Sequence, residues 1–183
     1  MANFNSVDDA VHFLTGVLDK AYGDLMDHEL IGHLRQRLAQ RGIHPVYSDA
    51  VFYNNKGIVL AGIGGTGKSE MSDRFVQQGA SYLSQDFAWL LVENERPVII
   101  NTRSENPERA SLDFLFWIEQ GGVQGFTYFE LEYFIDIMFE KYPVDIKRII
   151  QKFFSGVAMH KYNTGEEGAR ETFDSLNGMI NSC

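Results

Sequence analysis

The sequence predicts an α/β fold in which a mixed β-sheet is flanked by helices at the N-terminal and C-terminal ends of the chain. The apolar run from Gly57 to Ala61 is typical of a strand that is buried on both faces. A hairpin-type turn, Asn54-Asn55-Lys56-Gly57, precedes it, so the strand before the turn is expected to pair with it antiparallel. Apolar residues recur at helical spacing before residue 42 and after residue 102, which predicts helices in both places.

Length and composition indicate one globular domain over residues 1–183. A chain of 183 residues is long enough for one hydrophobic core and short for two full domains. Hydrophobic residues make up 44% of the chain and aromatic residues 13%, which is typical of a globular protein and not of a disordered one. The formal charge of -9 leaves no basic stripe for a phosphate backbone, so no nucleic-acid partner is expected.

Cysteine usage and the first residues bear on the compartment. The single cysteine, Cys183, allows no disulfide within the chain, which suits a reducing compartment. The first residues lack both the basic start and the apolar core of a secretory signal. No apolar run approaches the about 18 residues that a membrane-spanning helix needs. We therefore expect a cytoplasmic protein without a membrane segment.

Residues 1–42 are expected to form a helical extension of the core. Ser6 and Asp9 are placed like a capping pair, and apolar residues then recur at helical spacing as far as Tyr22. A second amphipathic helix is predicted from about Asp24 to Arg41. Packing against the core explains both helices, and partner or substrate contacts are the alternative.

Residues 46–101 carry the strand signals of the sheet. The segments predicted as strands, besides the apolar run, are Val46–Tyr53, Ser81–Leu83, Phe87–Val92 and Pro97–Ile100. A helix is predicted from Glu70 to Gln78, because Gly79 ends the helical pattern there.

Residues 102–183 are expected to be mainly helical. The predicted helices are about Glu108–Glu119, Thr127–Tyr142, Asp145–Phe154 and a last helix that runs to about Leu176. A polar loop is predicted around Asn163-Thr164-Gly165, and His160 is assigned to a loop. The many aromatic side chains of the helix Thr127–Tyr142 indicate a core position, with a partner-binding face as the alternative.

The segment that follows the apolar run has the pattern G-x-x-x-x-G-K-S. Glycines in such a loop let successive backbone N–H groups turn toward an anion, the lysine reaches the outer phosphates of a nucleotide, and the serine hydroxyl coordinates magnesium. The sequence therefore predicts a P-loop core that uses Mg2+ and a nucleotide. ATP is favoured over GTP because no N-K-x-D segment occurs for guanine. The residues expected to bind the nucleotide are Gly62, Gly64, Gly65, Thr66, Gly67, Lys68 and Ser69.

Asp86 and Arg103 are further candidates for the chemistry of phosphate transfer. Asp86 follows a predicted strand, and the carboxyl ends of strands face the ligand in such sheets. A carboxylate there can hold magnesium or accept the proton of an attacking hydroxyl, and the alternative is a turn-forming aspartate. Arg103 and Arg109 can stabilise the transferring phosphoryl group, and the alternative is an exposed arginine without a partner. Lys68, Asp86 and Arg103 form the expected catalytic set.

The core also resembles a known family. Lys68-Ser69-Glu70, a helix and the segment GASYLSQDFAWLL are similar to the bacterial HPr kinase/phosphorylase family, which is related in fold to PEP carboxykinase. The resemblance covers about residues 46–100. It implies that Ser69, Glu70 and Asp86 are metal ligands and that the chain is an ATP-dependent kinase. It also implies a homo-oligomer, since that family forms hexamers.

Two functional hypotheses remain open. The first is a kinase that transfers the γ-phosphate of ATP to a hydroxyl, either on a protein or peptide serine or on a small molecule. The second is a nucleotide-binding switch or assembly module without catalysis. Gln85 stands where the family has the first acid of its pair and Tyr47 where it has a histidine, and both favour the module. Glu70, Asp86 and the complete loop favour the kinase.

Overall fold

The structure, a computed structural model, describes residues 6–21, 37–94, 96–103, 109–127, 129–140, 144–154, 157–165 and 169–182. The helices are α1 (Val7–Ala21), α2 (Lys68–Gln77), α3 (Leu131–Met138), α4 (Val144–Phe154) and α5 (Ala169–Ser182). The strands are β1 (Ile43–Tyr53), β2 (Lys56–Ala61), β3 (Ser81–Ser84), β4 (Phe87–Glu93), β5 (Arg96–Ile100), β6 (Arg109–Glu119), β7 (Gly121–Thr127) and β8 (Ala158–Gly165).

The strands form an eight-stranded mixed sheet whose two longest members, β1 and β6, connect its two halves. Residues 43–47 of β1 pair with β4, and residues 48–53 pair with β2. In the same way, residues 109–111 of β6 pair with β5, whereas the rest of β6 pairs in parallel with β2 and β8. Each long strand therefore belongs to both halves of the sheet, one of which contains β4 and β5 and the other β2, β3, β7 and β8.

A two-residue bend separates the two strands that pair with the same side of β1. Both β3 and β4 pair antiparallel with β1, on successive stretches of it, and Gln85 and Asp86 lie between them. The Ser48 N–H donates to the Asp86 carbonyl over 3.0 Å, which keeps this bend attached to β1. Because β3 runs in the same direction as β2, the carboxyl ends of both strands reach the same edge of the sheet.

Apolar side chains on both faces of the sheet hold the helices. The interior core contains side chains of both halves of the sheet, together with Phe134 of α3 and Phe154 of α4. A second cluster joins α2 and α5 to the strands, and a third joins α1 to β4 and β5. Ile58, Val59 and Leu60 of β2 are fully buried, and burial of such a side chain stabilises the fold by about 1.5–3 kcal/mol.

The sequence predictions hold for the first 101 residues wherever the structure describes them. The α/β fold with a mixed sheet, the antiparallel hairpin of β1 and β2 and the strands as far as Ile100 are confirmed. The first helix is confirmed as α1. Of the second predicted helix, residues 37–39 are helical and residues 24–36 lie outside the described part.

Several predictions for the C-terminal part are wrong. Residues 109–119, predicted as a helix, form β6, and the predicted loop that was to contain His160 lies within β8. Of the predicted helix 127–142, residues 131–138 are helical as α3, residue 127 belongs to β7, and residues 128, 141 and 142 lie outside the described part. Residues 114–118 are buried on both faces, and such a run does not show the alternation by which a strand is recognised. The last two helices are confirmed, although α5 extends to Ser182.

None of the helices within the described ranges has both the length and the apolar character that crossing a membrane requires.

We expect a pH dependence of stability that comes from His44. Its side chain is buried beside Leu90, Phe139 and Phe154, and burial lowers its pKa from 6.5 to about 4. Between these two values the unfolded chain binds a proton that the folded chain does not bind, so the free energy of unfolding falls as the pH drops through this range. At pH 4.5 the loss from this group is about 2.5 kcal/mol, at ~1.4 kcal/mol per pKa unit and with partial protonation of the folded form included.

Urea unfolding at pH 7.5 and at pH 4.5 measures this contribution. The decrease in free energy of unfolding should be smaller in His44→Gln than in the wild type by about that amount. Equal decreases in both proteins would contradict the assignment.

Candidate functional site

The glycine-rich loop, residues 62–67, joins the end of β2 to the start of α2. Gly67 precedes the helix with φ 86° and ψ 15°, a left-handed conformation that disfavours any residue with a side chain. The Met71 N–H donates to the Gly67 carbonyl over 2.9 Å, which forms the first turn of α2. The loop therefore leads into the N-terminal end of a helix, where N–H groups and the helix dipole attract anions.

Close packing against β6 fixes the start of the loop. A Cβ atom on Gly62 would lie 2.4 Å from the carbonyl oxygen of Ile118, a backbone atom that cannot move without moving β6. Beyond the end of β6, the Gln120 side-chain amide donates to the Gly65 carbonyl over 2.7 Å. The Thr66 hydroxyl donates to the Ile63 carbonyl over 2.9 Å, so the loop is held both from β6 and from within.

Lys68, the first residue of α2, turns its ammonium group back into the loop. Its Nζ donates to the Ile63 carbonyl over 3.0 Å and lies 4.7 Å from the centre of the Tyr47 ring. The residue is only 7% exposed, and burial lowers the pKa of the ammonium group. The charges of Asp49 and Asp86 oppose that decrease, so both carboxylates lie within electrostatic reach of Lys68.

Asp49 is a buried carboxylate at the centre of the site, and sequence reasoning missed it. It is 1% exposed and lies on β1. The Ser72 hydroxyl of α2 donates to one of its oxygens, and the Asp86 N–H donates to the other, both over 2.9 Å. The Asp49 side chain therefore connects α2 to the bend that contains Asp86.

Asp86 lies at the same edge of the sheet as the glycine-rich loop. Its φ of 63° is unusual for a residue other than glycine, and the hydrogen bonds to Asp49 and Ser48 hold the backbone in this conformation. Its side chain is exposed, unlike that of Asp49. Asp86 thus lies within electrostatic reach of Lys68.

Ser69 and Glu70 occupy the exposed face of the first turn of α2. Glu70 lies 3.5 Å from Arg74 in an ion pair along the helix, and its side chain is 62% exposed. Within the described ranges no three carboxylate, imidazole or thiol groups converge into a metal cluster. Magnesium in nucleotide sites needs only one or two protein ligands beside phosphates and water, so Ser69 and Asp86 fit such a site. For Ser69, Glu70 and Asp86 alike, the role of magnesium ligand stays a prediction.

Arg103 lies beside the second turn of α2. Its guanidinium is 5.6 Å from the ring centre of Tyr82, whose hydroxyl donates to the Asp73 carboxylate and lies 3.5 Å from the Ser72 hydroxyl. Burial, followed by the Asp73 hydrogen bond, raises the pKa of Tyr82. The buried Arg103 Nε has no hydrogen-bond partner among the described residues, which leaves a donor for a ligand or water.

Arg109, the other arginine considered from the sequence, is engaged elsewhere. It forms ion pairs with Glu93 and Asp8, the latter over 2.6 Å. These contacts connect β6 to β4 and α1. They raise the pKa of Arg109, and the hydrogen bond to Asp8 is the largest cause. Arg109 therefore has a structural role at the outer side of the sheet.

An apolar cleft of about 310 Å³ adjoins the glycine-rich loop. Gly62, Ile63 and Gly64 form one side of it. The other lining residues, none of which sequence reasoning assigned to the site, are Pro45, Tyr47, Phe87, Trp117, Ile137 and Met138.

Comparison with known proteins shows a distant likeness of fold. No protein-family model matches the chain, and no curated protein matches its sequence. Among solved structures, the HPr(Ser) kinase/phosphatase from Coxiella burnetii is similar with a TM-score of 0.46 over 76% of this chain and 89% of that chain, at 9% sequence identity. A likeness at this level assigns no role to any residue.

The close packing of Gly62 can be tested with a matched pair of variants. Gly62→Ala should lower the free energy of unfolding by about 1–3 kcal/mol, because the new methyl group overlaps the Ile118 carbonyl. Gly64→Ala should change it by less than about 0.5 kcal/mol, since its Cβ would meet nothing within 4 Å. Urea unfolding of both variants makes the comparison, and equal effects would show that the loop does not pack on β6 as described.

The connecting role of Asp49 can be tested through the Asp86 amide. In Asp49→Ala both hydrogen bonds lose their acceptor, which should lower the free energy of unfolding by about 1–3 kcal/mol for each group left unpaired. Amide hydrogen exchange at Asp86 should accelerate in this variant and stay unchanged in Ser72→Ala, which removes only the bond to α2. Unchanged Asp86 protection in Asp49→Ala would contradict the connection.

Proposed function

We propose that this chain is a P-loop kinase that binds Mg-ATP at the glycine-rich loop and transfers the γ-phosphate to a hydroxyl. The observation that carries the proposal is the position of Lys68. A mostly buried ammonium lies inside a G-x-x-x-x-G-K-S loop at a helix N-terminus, within electrostatic reach of two carboxylates at the same sheet edge. The distant likeness to HPr(Ser) kinase/phosphatase is compatible with this proposal and does not carry it.

Each residue of the site has a role that follows from its place. The backbone N–H groups of residues 62–67 and the start of α2 receive the phosphates. Lys68 exchanges its bond to the Ile63 carbonyl for a phosphate oxygen and neutralises the outer phosphates. Arg103 offers its unsatisfied Nε–H as a further donor at the edge of the site.

Magnesium, when bound, neutralises the phosphates and supplies Lewis acidity at the transferring group. Ser69 and Asp86 would hold it, since a hydroxyl and a carboxylate oxygen are ligands that this hard cation prefers. Glu70 is the third predicted ligand, and it would have to leave its ion pair with Arg74.

In the proposed transfer, one bond to the γ-phosphorus forms and one breaks. The acceptor hydroxyl oxygen forms a bond to the γ-phosphorus, and the bond between that phosphorus and the oxygen bridging to the β-phosphate breaks, so ADP leaves with the electron pair. The hydroxyl proton passes to the exposed Asp86 carboxylate and from there to water. Asp49 keeps Asp86 in place through the Asp86 N–H.

A second candidate function is a nucleotide-binding switch or assembly module without catalysis. Gln85 favours it, because an amide cannot accept the proton of the acceptor hydroxyl. Under this reading the loop binds the nucleotide in the same way and Asp86 serves only as a metal ligand. In both cases we propose a cytoplasmic protein, with a homo-oligomer as a further proposal from the sequence resemblance.

Mg-ATP binding and turnover in three variants separate the two functions. Lys68→Ala should weaken Mg-ATP binding about tenfold or more in calorimetric titration, since it removes the ammonium that neutralises the phosphates. Asp86→Asn should keep binding within a few-fold and reduce hydrolysis or transfer by about 100-fold, the contribution of a general base. Asp174→Asn, an exposed aspartate on α5, is the matched control and should behave as the wild type.

The outcomes are distinct. Turnover that depends on Asp86 supports the kinase, whereas tight binding without turnover supports the module. Absence of Mg-ATP binding in the wild type would overturn both.

A further inference from the structure

The apolar cleft beside the glycine-rich loop has the features of a binding site for the phosphate acceptor. Its lining combines three aromatic side chains with three aliphatic ones, and none of its lining residues is charged. The aromatic residues are Tyr47, Phe87 and Trp117, and the aliphatic residues are Ile63, Ile137 and Met138. At about 310 Å³ it falls at the lower end of the ~300–1,000 Å³ typical of small-molecule sites.

The walls of the cleft expose apolar surface that the fold does not need. Tyr47 is 41% exposed, Ile63 is 59% exposed and Ile137 is 38% exposed, although all three are large apolar side chains. They come from three separate elements, β1, the glycine-rich loop and α3, and converge on one concavity. Convergent exposed apolar groups of this kind mark ligand-binding clefts.

The cleft lies on the side of the loop to which Lys68 points. The Lys68 ammonium lies over the ring of Tyr47, which also lines the cleft. It donates a hydrogen bond to the carbonyl of Ile63, another lining residue. In loops of this pattern the lysine reaches the β- and γ-phosphates, so this is the γ-phosphate side. The base is attached through the α-phosphate, at the opposite end of the triphosphate.

We propose, on the basis of the kinase function above, that the cleft binds the acceptor as a small uncharged molecule with its hydroxyl on an apolar, ring-sized body. The aromatic walls pack against the ring and leave the hydroxyl facing the γ-phosphate. The hydroxyl oxygen then takes the phosphoryl group, the bond to the bridging oxygen breaks and ADP leaves, and the proton goes to Asp86.

The chemistry of the lining disfavours other acceptors. A peptide backbone in the cleft would need hydrogen-bond partners, but Pro45 has no N–H and the six side chains named above offer few polar atoms. A sugar or polyol would lose hydration against a lining whose surface is mostly apolar, and the polar groups of the lining would replace only part of it. A cationic acceptor would lie beside the Lys68 ammonium without an acidic lining residue to balance its charge.

A binding experiment without nucleotide tests the cleft independently of the kinase function. 2-Phenylethanol is the probe, glycerol is the polar comparison, and the readouts are the backbone amide resonance of Gly64 and the indole N–H of Trp117. Ile137→Trp fills the cleft from α3, and Val144→Trp places the same side chain on α4, where Val144 is 67% exposed and outside the cleft lining. We expect saturable shifts in the wild type and in Val144→Trp, at least about fivefold weaker binding in Ile137→Trp, and no saturable shifts with glycerol.

A transfer experiment then tests the acceptor class. With Mg-ATP present, mass spectrometry should detect phosphorylated 2-phenylethanol, with less product in Ile137→Trp than in Val144→Trp. Glycerol and a serine-containing peptide should give no comparable product. All three proteins should bind Mg-ATP with equal affinity.

The failures are distinguishable. Mg-ATP binding without any 2-phenylethanol binding would overturn the acceptor site and leave the proposed function intact. Weaker Mg-ATP binding in Ile137→Trp would show that the cleft holds the base, and preferred phosphorylation of the peptide or glycerol would show a different acceptor. Equal weakening by both tryptophan variants would also overturn the assignment. If 2-phenylethanol binds while Mg-ATP does not, the kinase function fails and the acceptor role fails with it.

Discussion

The burial of β2 between β1 and β6 is the constraint on which the site depends. The strand pairs antiparallel with β1 on one side and parallel with β6 on the other, and its central side chains are fully buried. After Ala61 the backbone therefore passes directly against the Ile118 carbonyl at Gly62. Because both neighbours are fixed, the loop amides and the start of α2 are placed before any ligand arrives, and this lowers the cost of binding an anion.

Electrostatic balance around Lys68 follows from that placement. An ammonium group that is mostly buried is unfavourable on its own, and here Asp49 and Asp86 offset the cost with their charges. Asp49 is itself buried, and its two hydrogen bonds satisfy its oxygens. The Asp49 carboxylate therefore stabilises the Lys68 ammonium electrostatically and positions the bend that contains Asp86. Fold stability and site geometry are thus coupled through Asp49.

What the sequence could predict was set by the range of the interactions. The hairpin of β1 and β2 is specified by a local turn, and the loop by a local pattern, so both were found from the chain alone. β6 and β8 pair with strands that are distant in sequence, and their apolar runs lack a diagnostic period. Asp49 and the cleft arise only when β1, α2 and α3 meet in space, so no local signal could have indicated them.

The central claim is that the backbone amides of residues 62–67 and the Lys68 ammonium receive a triphosphate. A crystal structure with Mg2+ and a non-hydrolysable ATP analogue tests this most directly. We expect the loop to enclose the β-phosphate and Lys68 Nζ to move from the Ile63 carbonyl to a phosphate oxygen. Ser69 and Asp86 should face the Mg2+ ion. A fully occupied analogue bound elsewhere, with Lys68 still on the Ile63 carbonyl, would contradict it.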